Sequence, residues 1–349
     1  MWWVAGLWMG CAGTVPPTFA IPDLDTHHTT ARPWTSLAAK DDPSRFHFAI
    51  VTDRTGGVRP GVFRVGVDKV NLLQPAFVMS VGDLIEGYTE DRAQIEAEWD
   101  AFDATVEELD APFFYVPGNH DIMNAEMDAA WTARFGASYY HFLYKDVLFL
   151  VLNAELFDLS DIEGWSTDRT RGPGQPAWHA SAPVRQRHQA QMAYARDVLA
   201  ANPDVRWTFV FVHKPYWRPS FVYPPRDPAT RAFVLDDYPV DGPWPTSLEV
   251  TEDWRRIAVM LGDRDYTAFA GHRHTYAYED VGDATHTHEH ISLATTGGAS
   301  RLRGVSFGEF DHFLWVTMTE EGPVFANLLL DGVQPKAPAT PDRRPWWVE

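Results

Sequence analysis

Aspartate, asparagine and histidine recur in this chain directly after short apolar runs, and residues of that type in that place can hold metal ions. Asp53 follows residues 46–51, and Gly82-Asp83 follows 77–81. Gly118-Asn119-His120-Asp121 follows 113–116, His213 follows 207–212, and Gly271-His272-Arg273-His274 follows 266–270. Carboxylate, amide oxygen and imidazole together suit borderline divalent cations such as Zn, Fe and Mn. Cys11 is the only cysteine, so an intramolecular disulfide and a cysteine-based zinc site are excluded. Singly, each position says little. A lone His at a strand end is more often a hydrogen-bonding residue than a ligand, and Asp121 alone reads as a helix N-cap. The ordered set says more.

The runs that deliver these residues are apolar almost throughout, as strands covered on both faces are. Between them the spacing turns helical. Ile95, Trp99, Phe102, Val106 and Leu109 recur within 91–109, and Met192, Ala195, Val198 and Leu199 within 184–200. Alternating strands and helices predict an α/β sheet, whose ligands sit in loops beyond the C-terminal strand ends. Residues 290–295, 313–319 and 324–330 read as further strands. Two segments rich in Pro and aromatics, 155–183 and 215–247, are expected to be long loops walling a cleft. Tyr216 and Trp217, close after His213, are candidates for shaping specificity. The domain is expected over 45–330, after a polar leader at 21–44 and before a tail at 331–349. His286, His288 and His290 alternate, so on a strand they share one face, expected to be solvated. His179 and His188 are expected at the surface, and His141 in a structural role.

Charge narrows the partners. There are 29 basic and 48 acidic side chains, a net charge of −19. Such a surface repels nucleic-acid backbones and anionic membranes, so a small substrate is expected rather than a polymer. Nothing in the sequence points to a protein partner. The first 20 residues carry no charge and end in Thr-Phe-Ala. An apolar core followed by small residues is the pattern of a secretory signal, which predicts export to the periplasm or exterior, or a lipid anchor. No other stretch reaches the roughly 18 apolar residues of a membrane span.

The ordered set, with its Gly-Asn-His-Asp and Gly-His-x-His elements, resembles the calcineurin-like metallophosphoesterase family over roughly residues 45–300. The resemblance implies a four-layer α-β-β-α sandwich of two mixed sheets flanked by helices. It implies a metal-dependent hydrolase of phosphomonoesters or phosphodiesters using two divalent cations, with metal-activated hydroxide attacking phosphorus in line. By resemblance Asp53 and His274 hold the first metal, Asn119, His213 and His272 the second, and Asp83 bridges both. His120 would face the phosphate as acid or transition-state stabiliser, and Asp121 would hold its imidazole in the useful tautomer. The Gly before Asp83, Asn119 and His272 is expected to let the backbone turn sharply. One position departs: the first motif, Asp-x-His in the family, reads Asp53-Arg54-Thr55. A hydroxyl is a poorer ligand than imidazole for zinc or iron, so the first site is expected to be weak or to take a harder ion (Mn, Mg or Ca). Arg54, beside a phosphate site, reads either as a substrate contact or as half of an ion pair. The alternative to an enzyme is a scaffold or binding module that keeps the fold, and Thr55 is what favours it.

Overall fold

In β1 (Phe46–Val51), Phe46, Phe48 and Ile50 face one side and Ala49 and Val51 the other, and both sides are covered. That is why the run is apolar throughout. The computed structural model describes residues 42–157, 178, 181–217 and 252–333. The apolar segment 1–20, His179, and most of the leader, the two expected insertions and the tail lie outside the described residues. Within them follow α1 (Val62–Leu73), β2 (Val78–Ser80), α2 (Arg92–Val106), β3 (Phe113–Phe114) and α3 (Ala125–Phe135). Next come β4 (Tyr140–Tyr144), β5 (Val147–Leu152), α4 (Ala182–Ala201), β6 (Trp207–Val212), α5 (Glu252–Leu261) and β7 (Tyr266–Ala270). The chain closes with β8 (Ala277–Asp280), β9 (His288–Ser292), β10 (His312–Thr319) and β11 (Gly322–Leu329).

The strands form two mixed sheets. The first has the order β11-β10-β1-β2-β3, with β1, β2 and β3 parallel and β10 antiparallel to its neighbours. The second has the order β4-β5-β6-β7-β9-β8, parallel except for its two edge strands. Three apolar layers bind them into the expected four-layer sandwich. Phe48, Ile50, Met79, Phe149, Phe209, Phe211 and Phe269 fill the space between the sheets. Trp99, Phe102 and Trp131 of α2 and α3 cover the outer face of the first sheet. Met192, Val198, Trp254 and Ile257 of α4 and α5 cover the outer face of the second. The central layer is largely phenylalanine, with Phe142 stacked on Phe149 at 4.6 Å. Aromatic pairs of this kind add packing energy beyond area burial.

α2 starts where its sequence says. The Asp91 carboxylate accepts the amides of Ala93 (2.9 Å) and Gln94 (3.3 Å), leaving Ile95, Trp99 and Phe102 to be buried. Several expectations change. His290 is buried, not solvated: it lies between the rings of Trp217 (4.9 Å) and Trp254 (5.3 Å) and is hydrogen-bonded to the Tyr266 hydroxyl at 3.1 Å. Trp217 and Tyr216 belong to the same apolar layer as Trp254, so both rings are core. His188 is not a surface residue either. Its Nε2–H lies 3.0 and 2.9 Å from the Asp253 carboxylate oxygens and joins α4 to α5. His141 hydrogen-bonds the Tyr194 hydroxyl (2.6 Å), linking β4 to α4 as a structural residue does. Among the described residues no helix is long and apolar enough to cross a membrane.

Candidate metal centre

β1, β2, β6 and β7 each end in a turn that carries one or more of the candidate ligands, and the two sheets bring those turns together. The Gly271 amide donates to the His213 carbonyl (2.9 Å), and the His272 amide to Asp53 Oδ1 (2.8 Å). Oδ2 of Asp83 lies 3.1 Å from Nε2 of His213. The backbone is strained where this happens. Asp53, Asp83, His272 and His274 have φ of 27°, 58°, 69° and 51°. Non-glycine residues avoid this region, and strain of order 1–3 kcal/mol at each persists only where the surroundings enforce it.

Two groups of ligand atoms result. Asp83, His213 and His272 form one, and Asp53, Asp83 and His274 the other, with the atoms of each group within 4.8 Å of one another. Asp83 belongs to both. The imidazoles are aimed by their far nitrogens. His213 Nδ1 donates to the Val81 carbonyl (2.8 Å), leaving the lone pair on Nε2. His274 Nδ1 donates to the Ala299 carbonyl (2.5 Å), so its Nε2 faces Asp53 at 3.3 Å. His213 Nε2 and Asn119 Oδ1 are buried and have no hydrogen bond among the described residues. Buried polar atoms are nearly always paired, and a cation accounts for both. The donor set therefore fits divalent metal ions. Thr55 is fully buried, its hydroxyl included. That hydroxyl lies near enough to Glu86 to help hold its carboxyl low. Burial pushes Glu86 up, and Thr55 with the Val58 and Gly57 amides outweighs it.

Charge balance says the same. Burial pushes His213 down, but the Asp83 and Asp53 carboxylates outweigh it and raise the imidazole to about 9. His274 is likewise pushed down by burial and raised to about 9 by Asp53. Asp83 moves the opposite way: burial pushes it up, and His213, His120 and His272 bring it well below the usual carboxylate range. Without a cation, protons supply the positive charge that this cluster of acids demands.

His120 sits beside the pair, its own amide donating to Asp83 Oδ1 (2.9 Å). Its Nδ1 donates to the Glu86 carbonyl (2.7 Å), and the Tyr88 ring meets it edge-on at 4.2 Å. The expected role of Asp121 is thus corrected, because Glu86 rather than Asp121 fixes the imidazole tautomer. Asp121 is not an N-cap either; Asn124 caps α3 by accepting the Met127 amide (3.0 Å). The buried Asp121 carboxylate instead accepts four backbone amides. Oδ1 takes Leu84 (2.8 Å) and Ile85 (3.2 Å), and Oδ2 takes Asp83 and Gly118 (both 2.8 Å). It fastens the turn bearing Asp83 to the turn bearing Asn119. Burial and the Asp83 charge together raise its pKa.

Of the two readings of Arg54, the ion pair is the one the structure does not bear out. Its guanidinium donates to the Leu84 carbonyl (2.7 Å) and lies over the Phe102 ring at 5.6 Å. It forms no ion pair among the described residues, and burial lowers its pKa. The glycines divide into two kinds. Gly82 has φ 98° and does turn the chain. Gly118 and Gly271 have no left-handed φ; they are small because a Cβ would sit 2.3 Å from Asp83 Oδ1 and 2.0 Å from Asp53 Oδ2. Sequence reasoning missed Glu86 and Tyr88, whose Gly87 was the only signal. It also missed the loop at Ala299, signalled by Gly297-Gly298.

The sequence model of the calcineurin-like phosphoesterase family matches residues 47–242, and the chain belongs to that family. Among solved structures it is similar to a dimetal phosphatase from Danio rerio, with TM-score 0.51 and 14% identity over 82% of this chain and 96% of that one. It is also similar to PhoD, with TM-score 0.53 and 10% identity over 85% and 72% of the two chains. A third is the purple acid phosphatase of yellow lupin (Lupinus luteus) seeds, with TM-score 0.50 and 16% identity over 83% of this chain and 52% of that one. At these identities the likeness is one of fold. No curated protein matches the sequence.

Proposed function

We propose that this protein hydrolyses small phosphoesters, monoesters or diesters, with two divalent cations held unequally. The observation that carries the reading is the pair of unsatisfied buried atoms, Asn119 Oδ1 and His213 Nε2, aimed beside Asp83 and next to His120. Family membership and the resulting expectation of divalent metals support it. Divalent cations, when bound, attract phosphoryl oxygens and bring the pKa of water toward neutrality.

The chain's own residues divide the work. Asn119, His213 and His272 would hold one cation and Asp53 and His274 the other, with Asp83 common to both. Strain at Asp53, Asp83, His272 and His274 is stored on folding, so the ligands stand ready before any substrate arrives. His120, with Nδ1–H committed to the Glu86 carbonyl, presents Nε2 to the leaving oxygen; as the imidazolium it would give that oxygen its Nε2 proton or a hydrogen bond to developing charge. Thr55, where the family has an imidazole, leaves the first site the weaker and suited to Mn, Mg or Ca. The surface charge of −19 disfavours nucleic-acid polymers and leaves small phosphorylated molecules.

The test is hydrolysis of para-nitrophenyl phosphate and its bis ester by the full chain with added Mn. Metal-dependent turnover is expected, reduced roughly 100-fold or more in His120→Ala. No turnover with any divalent cation, with His120→Ala indistinguishable from wild type, would establish the scaffold reading instead.

A further inference from the structure

The loop Glu86-Gly87-Tyr88 holds both Asn119 and His120. The Glu86 carbonyl takes the His120 Nδ1 proton. The Tyr88 ring meets the imidazole at an interplanar angle of 81°. The Tyr88 hydroxyl accepts the Asn119 Nδ2–H at 2.7 Å. Contact is close enough that a Cβ on Gly87 would lie 1.9 Å from the His120 carbonyl oxygen. Tyr88 itself has φ 53°, a conformation a bulky residue keeps only when its neighbours enforce it.

The consequence concerns the amide of Asn119. A primary amide has two orientations related by a half turn, and only one directs its oxygen at a cation. Oδ1 is the buried atom with no hydrogen bond, and Nδ2 is the atom that Tyr88 engages. With Oδ1 toward the cation, Nδ2 meets the Tyr88 hydroxyl oxygen, so cation and hydroxyl would hold the two ends of one amide. A phenol oxygen both accepts and donates, so it anchors the amide, and the charge of a bound cation would fix which end is oxygen. Phenylalanine would fill the same space without the anchor.

We infer that Tyr88 is a positioning residue: its hydroxyl anchors the Asn119 amide beside the cation site, and its ring steadies the His120 imidazole. The inference rests on the metal-dependent reading above. It separates the two halves of the Tyr88 side chain, because Tyr88→Phe removes the first function and keeps the second.

Calorimetric titration of chelator-stripped full chain with MnCl2 tests it, using wild type, Tyr88→Phe, Asn119→Ala and the double variant. Loss of a residue that orients a ligand weakens metal binding by about 10–100-fold. Tyr88→Phe is therefore expected to bind Mn at least about 10-fold more weakly, while its unfolding temperature in EDTA stays that of wild type. Asn119→Ala leaves no amide for the hydroxyl to anchor, so the same change in that background should cost far less. At saturating Mn the kcat of Tyr88→Phe on para-nitrophenyl phosphate should recover, since His120 is still held. Wild-type affinity in Tyr88→Phe, or an equal loss in both backgrounds, would overturn the inference, as would a lowered unfolding temperature in EDTA. Wild type without saturable Mn binding would overturn the hydrolase reading first and the inference with it, so the two failures are distinguishable.

Discussion

Asp121→Asn is the sharpest test of how the centre is built. Each carboxylate oxygen of Asp121 accepts two backbone amides, from Leu84 and Ile85 on one side and Asp83 and Gly118 on the other. Asparagine keeps one acceptor oxygen and turns an NH2 group toward the other two N–H donors. Two buried hydrogen bonds are lost and two amides are left unpaired. Each unsatisfied buried group costs about 1–3 kcal/mol, for a gross loss of about 2–6 kcal/mol. Removing a buried carboxylate next to Asp83 returns part of this, since burial and Asp83 both disfavour the charge. A net loss of roughly 2–4 kcal/mol remains. Equilibrium urea unfolding in EDTA reads it directly, as a lower midpoint at unchanged slope. Mn affinity should fall as well, because the turns bearing Asp83 and Asn119 come apart. If Asp121 served mainly to orient His120, stability would hold and only turnover would fall. An Asp121→Asn variant within about 0.5 kcal/mol of wild type, the range of ordinary surface changes, would therefore refute the reasoning.

Thr55→His restores an imidazole to the first motif and should raise the metal retained after dialysis toward two ions per chain; two tightly held ions in dialysed wild type would remove the ground for an unequal pair. Arg54→Met should cost about 1–2 kcal/mol, from the lost Leu84 hydrogen bond and the Phe102 contact, with kcat/KM nearly unchanged; a kcat/KM lowered 100-fold at full Mn occupancy would return Arg54 to the substrate. His290 and His312 are buried, and burial lowers each to about 4. Because their folded pKa lies below the unfolded value near 6.5, the stability they hold is complete above about 6.5 and lost as pH falls toward 4, on the order of 3 kcal/mol each. His312 Nε2 accepts the Ala294 amide at 3.0 Å, so His312→Gln should flatten the fall in unfolding temperature between pH 7 and 5 in EDTA, and an unchanged slope would discount this residue.

The strands that lead into the site were legible because burial on both faces leaves a signature in composition, as in β1 and β6. β5, six buried residues, is as apolar as these, yet it ends in Asn153 and passed unnoticed because reading from the chemistry outward looks only for runs that end in ligands. The ligand set was legible as an ordered pattern, and so was the oddity at Thr55. What failed was direction. Arg54 follows Asp53 in sequence, but the turn at Asp53, with φ 27°, sends the next side chain toward Phe102. Asp121 follows His120, yet neighbours in a tight turn face different ways, and its four partners come from two separate turns. His290 read as solvated because alternation says which residues share a face and not what covers it. The covering Trp217 and Trp254 come from elsewhere in the chain.

The pairing of β1 with β10 bears on how the protein is made. β1 leaves the ribosome long before its antiparallel neighbour β10. The residue before Asp53 is tied in the same way, the Thr52 amide donating to the Thr296 hydroxyl 244 positions later. Until β10 emerges, β1 presents an open strand edge with Phe46, Phe48 and Ile50 on one face, the kind of surface that associates with other nascent chains. Contacts of such separation also slow folding. The first motif is therefore made before the strand that shapes it, and a chain arrested before residue 312 would carry all six candidate ligands without the strand beside β1.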